Sequence, residues 1–130
     1  MNGTYILLIE VEDDIDIQVG KLGNIFFKKG FYVYIGSGLS GLEQRVNRHL
    51  RNDKKMHWHI DYLLINAKVD SVYYKESNEK EECKIVKSFS KLKTVDNFGS
   101  SDCKCKSHLF FGSKNEIKSI INSLDVAYYC

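Results

Sequence analysis

Residues 31–51 read Phe31-Tyr32-Val33-Tyr34-Ile35-Gly36-Ser37-Gly38-Leu39-Ser40-Gly41-Leu42-Glu43-Gln44-Arg45-Val46-Asn47-Arg48-His49-Leu50-Arg51, and the hydrophobic period changes inside them. Phe31 to Ile35 is a short aromatic and β-branched run that suits a pleated sheet. Gly36-Ser37-Gly38 interrupts it, after which Leu42, Val46 and Leu50 recur every four residues, as on one face of a helix from about Gly41 to Arg51. A strand therefore feeds a helix through a glycine-rich loop.

Upstream, Thr4 to Val11 is an apolar run ended by Glu12-Asp13-Asp14, which predicts a central strand buried on both faces. Ile15 to Val19 and Gly23 to Phe27 are shorter β-like runs bounded by glycine turns, so the first third reads as an antiparallel meander. Downstream, Trp58 to Ile65 predicts a short buried helix, although Trp58, Ile60, Tyr62 and Leu64 also alternate as a strand would. Val69 to Tyr74 and His108 to Phe111 read as strands, and Glu79 to Leu92 and Lys114 to Leu124 as amphipathic helices. The expected class is α+β, a small mixed or antiparallel sheet flanked by helices.

With 130 residues and 43% hydrophobic content, the chain suits one domain over 1–130 with one ordinary core. It has no run of about 20 apolar residues of the kind a membrane span needs, and Met1 to Asp14 becomes acidic where a signal peptide would be basic. A cytoplasmic protein without a membrane partner is expected. The formal charge is only +2, but Arg45, Arg48, Arg51, Lys54 and Lys55 against Asp53 give a local charge of +4. Such a patch attracts phosphate, hence nucleic acid; a solvated helix end is the plainer reading.

Tyr5 and Tyr34 lie in predicted strands, where each taken alone is an ordinary core aromatic. Arg45 and His49 sit together at one edge of the apolar helix stripe. There they can offer a donor fork to a phosphate and a group that moves a proton, or simply extend to water. Glu82 has Ile85, Val86 and Phe89 at i+3, i+4 and i+7, which places it on the buried face of its helix. A carboxylate there needs a metal ion, an arginine or a retained proton, unless it bends out to solvent in the first turn.

In this order, Gly3-Thr4-Tyr5, Tyr34-Ile35-Gly36, Arg45 and Glu82 resemble the motifs of the GIY-YIG nuclease superfamily. A closer resemblance spans nearly the whole chain. It rests on Val19-Gly20-Lys21-Leu22-Gly23, Tyr32 to Ser37, Arg48-His49-Leu50, His57 to Leu64 and Phe98 to Leu109. These look like the uncharacterised branch named domain of unknown function 123, largely archaeal and sometimes fused to endonuclease III-like glycosylases. The superfamily resemblance implies that Tyr5, Tyr34, Arg45 and Glu82 meet on one face as catalytic residues, with one Mg²⁺ or Mn²⁺ on Glu82. Tyr5 would act as or position the general base, with Gly36, Ser37 and His49 in support. Here the two tyrosines are separated by an inserted β-hairpin where the superfamily has a short turn, and Thr4 stands where isoleucine is usual.

Cys103, Cys105 and His108 lie within six residues, but Cys-x-Cys is tighter than usual zinc spacings and no fourth ligand is evident. Metal-free thiols packed as small apolar groups are therefore expected, with Asp102 capping local N–H groups and zinc absent. His57 and His59 are read as hydrogen-bonded near the site. Three functions follow: a metal-dependent DNA endonuclease in repair or processing; a non-catalytic module that positions DNA for a repair glycosylase; or a zinc-stabilised interaction domain. Convergence of the four motif residues on a cavity with room for a hydrated ion separates the first two. The third requires Cys103, Cys105 and His108 to point at one centre.

Overall fold

The apolar N-terminal run becomes the middle of a sheet. In the computed structural model, which describes residues 1–39, 41–101 and 103–130, strand β1 (Gly3–Val11) lies between β4 (Gly30–Gly38) and β5 (Lys68–Glu76), antiparallel to both. β7 (Leu109–Gly112) pairs with the outer edge of β4, and two-residue strands, β6 (Lys93–Thr94) and β8 (Ala127–Tyr128), close the two sides. The order is β6-β7-β4-β1-β5-β8, and every pairing is antiparallel.

The α+β expectation holds, but the meander does not. β1 pairs with β4 directly, with Leu7 opposite Tyr34 and Tyr5 opposite Gly36. β2 (Ile15–Gln18) and β3 (Asn24–Phe27) form a separate two-stranded sheet, joined through a 3₁₀ turn at Gly20–Leu22. The hairpin is thus inserted between the motif strands without separating them. It buries Ile17, Val19 and Phe27 against the same core face as Tyr5, Leu7 and Tyr34.

Alternation along β1 divides the core into two layers. Tyr5, Leu7 and Ile9 face α1 (Leu42–Leu50), α2 (His59–Leu64) and the hairpin, whereas Ile6 and Leu8 face α3 (Glu82–Val86) and α4 (Lys114–Asn122). Every residue of β1 except Glu10 is buried, as expected for a strand covered on both sides. Residues 59–64 are helical; a capping carboxylate at Asp61, which accepts the Trp58 N–H at 2.9 Å, outweighs the strand-like alternation.

The helix expected over 79–92 is shorter. β5 runs on to Glu76, Ser77 Oγ accepts the Glu79 N–H at 3.1 Å in a turn, and α3 begins only at Glu82. After Val86 the chain tightens into a 3₁₀ turn at Lys87–Phe89 that delivers Phe89 and Leu92 to the core. On α1, Leu50 is exposed and His49 takes the buried place assigned to it. No helix among the described residues is long and apolar enough to cross a membrane.

Candidate active site

β7 ends opposite Tyr34, and past one further bond from Ile35 N–H to His108 O the outer edge of β4 opens into a cavity of about 590 Å³. Tyr5, Tyr34, Gly36, Ser37, Arg45 and Glu82 all line it, together with Trp58 and His108. These six residues singled out from sequence therefore line one cavity. Two glycines make room for the tyrosines. A Cβ on Gly36 would lie 2.2 Å from the Tyr5 ring and hydroxyl, and one on Gly99, whose φ is +71°, would lie 2.9 Å from the Tyr34 ring.

Behind the wall runs a buried polar chain. The Tyr5 hydroxyl and His49 Nε2 are 2.6 Å apart, and His49 Nδ1 lies 3.9 Å from Asp61 Oδ1, beyond hydrogen-bond distance. Asp61 is fully buried and accepts four bonds, two from the Arg48 guanidinium at 2.8 and 3.0 Å and two from the N–H groups of His57 and Trp58. Burial opposes its ionisation, but the Arg48 and backbone bonds outweigh that cost and hold its carboxyl below the usual range. Burial pushes His49 down to about 3, which Asp61 opposes and Lys54, Arg45 and Arg48 reinforce. Burial next to Tyr34 raises the Tyr5 phenol well above its ordinary value, against the pull of Arg45. At neutral pH the pair is thus a phenol and an uncharged imidazole.

Arg45 donates to the Ser37 carbonyl at 3.0 Å, and its guanidinium lies 4.2 Å over the Trp58 ring. Arg48 lies 4.5 Å from the same ring. Cation–π contact holds both forks in fixed planes. The basic patch divides accordingly. Arg48 and Lys54 are engaged within the fold, Lys54 donating to the carbonyls of Arg48 and His49, while Arg51 and Lys55 remain exposed and available to a ligand. None of these four lines the cavity.

Glu82 is 8% exposed, and its Oε2 has no hydrogen-bond partner. Glu82 therefore does not turn out to solvent, and no ion pair joins it to an arginine among the described residues. His59 behaves as expected, accepting the Gly99 N–H through Nδ1 at 2.9 Å, whereas His57 is exposed and meets the Trp58 ring edge to face.

Asp61, Trp58 and Cys83 have roles that the sequence reading missed. An acidic residue inside the apolar stretch Ile60 to Leu64 was the available signal for Asp61. Cys83 joins Cys103, Cys105 and His108 in a group whose donor atoms all lie within 4.8 Å of one another, an arrangement able to hold a metal ion. This corrects the picture of thiols without a fourth ligand in reach. The capping role given to Asp102 lies outside the described residues.

No curated protein and no solved structure matches this chain. One family model does, over residues 4–128, and by that match the chain belongs to the family described as domain of unknown function DUF123.

Proposed function

We propose that this chain is a metal-dependent endonuclease of the GIY-YIG kind, hydrolysing a phosphodiester bond in DNA. The observation that carries the reading is the convergence of Tyr5, Tyr34, Arg45 and Glu82 on one cavity, with Glu82 buried and its Oε2 unpartnered. A buried carboxylate without a partner is costly, and a cation offsets that cost. A single carboxylate suits Mg²⁺ or Mn²⁺, which keep most of their waters and take further oxygens from a substrate phosphate. When bound, the ion supplies positive charge to the phosphate and the leaving oxygen.

The chain's own residues do the rest. Tyr5 Oη, fixed 2.6 Å from the neutral His49 Nε2, accepts a hydrogen bond from the attacking water and orients it, the water's proton leaving to an oxygen of the substrate phosphate. Asp61, paired with Arg48, holds the segment that carries Trp58 beside the His49 ring. Arg45, held flat on Trp58, presents its remaining N–H groups to the phosphate, and Tyr34 donates a further hydrogen bond. Exposed Arg51 and Lys55 hold flanking phosphates by charge. A DNA-repair glycosylase is the partner suggested by the family resemblance.

The test is Glu82→Gln, assayed with Mn²⁺ on labelled branched, nicked and duplex DNA and on matching RNA. Wild type should cut only with a divalent ion, and the variant should lose cleavage by orders of magnitude at unchanged DNA affinity. Its melting temperature should hold or rise, because a buried charge has been removed. A variant that cuts like wild type sinks the assignment. Wild type that binds DNA but cuts nothing with any divalent ion would instead make the chain a non-catalytic positioning module.

A further inference from the structure

We infer that Cys83, Cys103, Cys105 and His108 form a structural zinc site that fastens α3 to the loop before β7. In tetrahedral zinc centres, Zn–S bonds of about 2.3 Å and Zn–N bonds of about 2.0 to 2.1 Å set sulfur–nitrogen separations near 3.6 Å and sulfur–sulfur separations near 3.8 Å. The Cys103 and Cys83 sulfurs stand 3.2 and 3.9 Å from His108 Nε2, on either side of that value, and all four donor atoms fall within 4.8 Å of one another. None of the cysteines is in a disulfide.

The surrounding backbone is built to hold this geometry. Asn97 N–H to Lys106 O and His108 N–H to Phe98 O, both 2.8 Å, close the base of a loop that carries Cys103 and Cys105 near its tip and His108 at its foot. Cys83 comes from a different element, α3, so the four ligands cross-link segments that secondary structure does not join. Among the described residues, β7 is paired on its outer side by the two-residue β6 and by the Val95 N–H to Leu109 O bond at 3.0 Å, a short ladder for this corner. Three thiolates and a neutral imidazole are a soft, closed donor set that selects zinc over Mg²⁺ or Ca²⁺. The resulting net charge of −1 falls among Lys84, Lys104 and Lys106 in the sequence.

Glu82 immediately precedes Cys83, and His108 also lines the candidate active site. Zinc on Cys83 would therefore fix the helix turn from which Glu82 reaches into the cavity. That consequence rests on the nuclease reading, whereas the site itself does not.

Full-length protein expressed with zinc in the medium and purified without chelator should contain about one zinc per chain by elemental analysis. Cys83→Ser and Cys103→Ser should each lose it. Cys130→Ser, which alters the cysteine outside the cluster, should keep it. Should a serine variant fail to fold, cobalt substitution of wild type decides the matter. Four-coordinate Co²⁺ with thiolate ligands gives intense visible bands and sulfur-to-metal charge transfer, which a hexaaqua-like ion lacks. Metal-free wild type with four freely titrating thiols would overturn the proposal, as would zinc retained in Cys83→Ser or iron in place of zinc. Because the readout is metal content, a chain that binds zinc but cuts no DNA fails only the nuclease reading, and one that cuts DNA without zinc fails only this one.

Discussion

His49 is 2% exposed and 2.6 Å from the Tyr5 hydroxyl, so folding takes it out of water in its neutral form. Its ionisation falls from the ordinary 6.5 to about 3, and the unfolded chain therefore binds a proton that the folded chain refuses throughout that interval. Stability contributed by His49 is present above pH 6.5 and is lost progressively toward pH 3, at up to about 1.4 kcal/mol per pH unit. Denaturant melts between pH 7.5 and 4.5 should show this decline, and His49→Gln should flatten it, since glutamine has no proton to gain. Equal slopes for the two proteins would mean that other groups, such as the half-buried His59, carry the effect. The burial of Glu82 was readable because Ile85, Val86 and Phe89 share its face, a purely local signal. The Arg48–Asp61 pair was not, because nothing in a 3.6-residue period says which distant carboxylate a guanidinium will meet. Cys83 escaped for the same reason: it stands alone in the sequence, and only the fold brings it beside Cys103.

β1 and β4 were legible as strands from composition, but their direct pairing was not, because consecutive β-like runs read as a meander. Periodicity could not show that β2 and β3 would leave the main sheet, since a strand in either sheet has the same alternation. It also could not mark the change from α to 3₁₀ after Val86, because both geometries keep Ile85, Val86 and Phe89 on one side. The two-residue strands β6 and β8 are too short for any period. Close approach of β1 to β4 at the site makes a sharper demand. With Gly36 opposite Tyr5, any side chain there meets the phenol ring at 2.2 Å. Gly36→Ala should lower stability by about 1 to 3 kcal/mol and displace the Tyr5 hydroxyl from His49. Most of that cost should vanish in a Tyr5→Ala background, because the cycle removes the clash itself. A melting temperature unchanged by Gly36→Ala alone would show that the sheet yields more easily than the geometry allows.

Taken as a whole, the molecule has its candidate chemistry where the two core layers meet, at the end of β4 that β7 does not cover. One layer supplies Tyr5, Tyr34 and α1, and the other supplies α3 with Glu82. Both layers press on β1, whose amide groups pair with strands on either side and whose residues Ile6 to Ile9 have no exposure to water. Such a strand cannot open alone, because freeing it separates the sheet and uncovers both cores at once. Amide hydrogen exchange should therefore be slowest at Ile6 to Ile9 and should report the global unfolding free energy. Exchange there that outpaces α1 would contradict this. α3, by contrast, spans only five residues. The two halves of the candidate site are thus anchored unequally: the tyrosine rides on a strand that yields only when the molecule unfolds, while the carboxylate across the cavity stands on a five-residue helix held to the core through Ile85 and Val86.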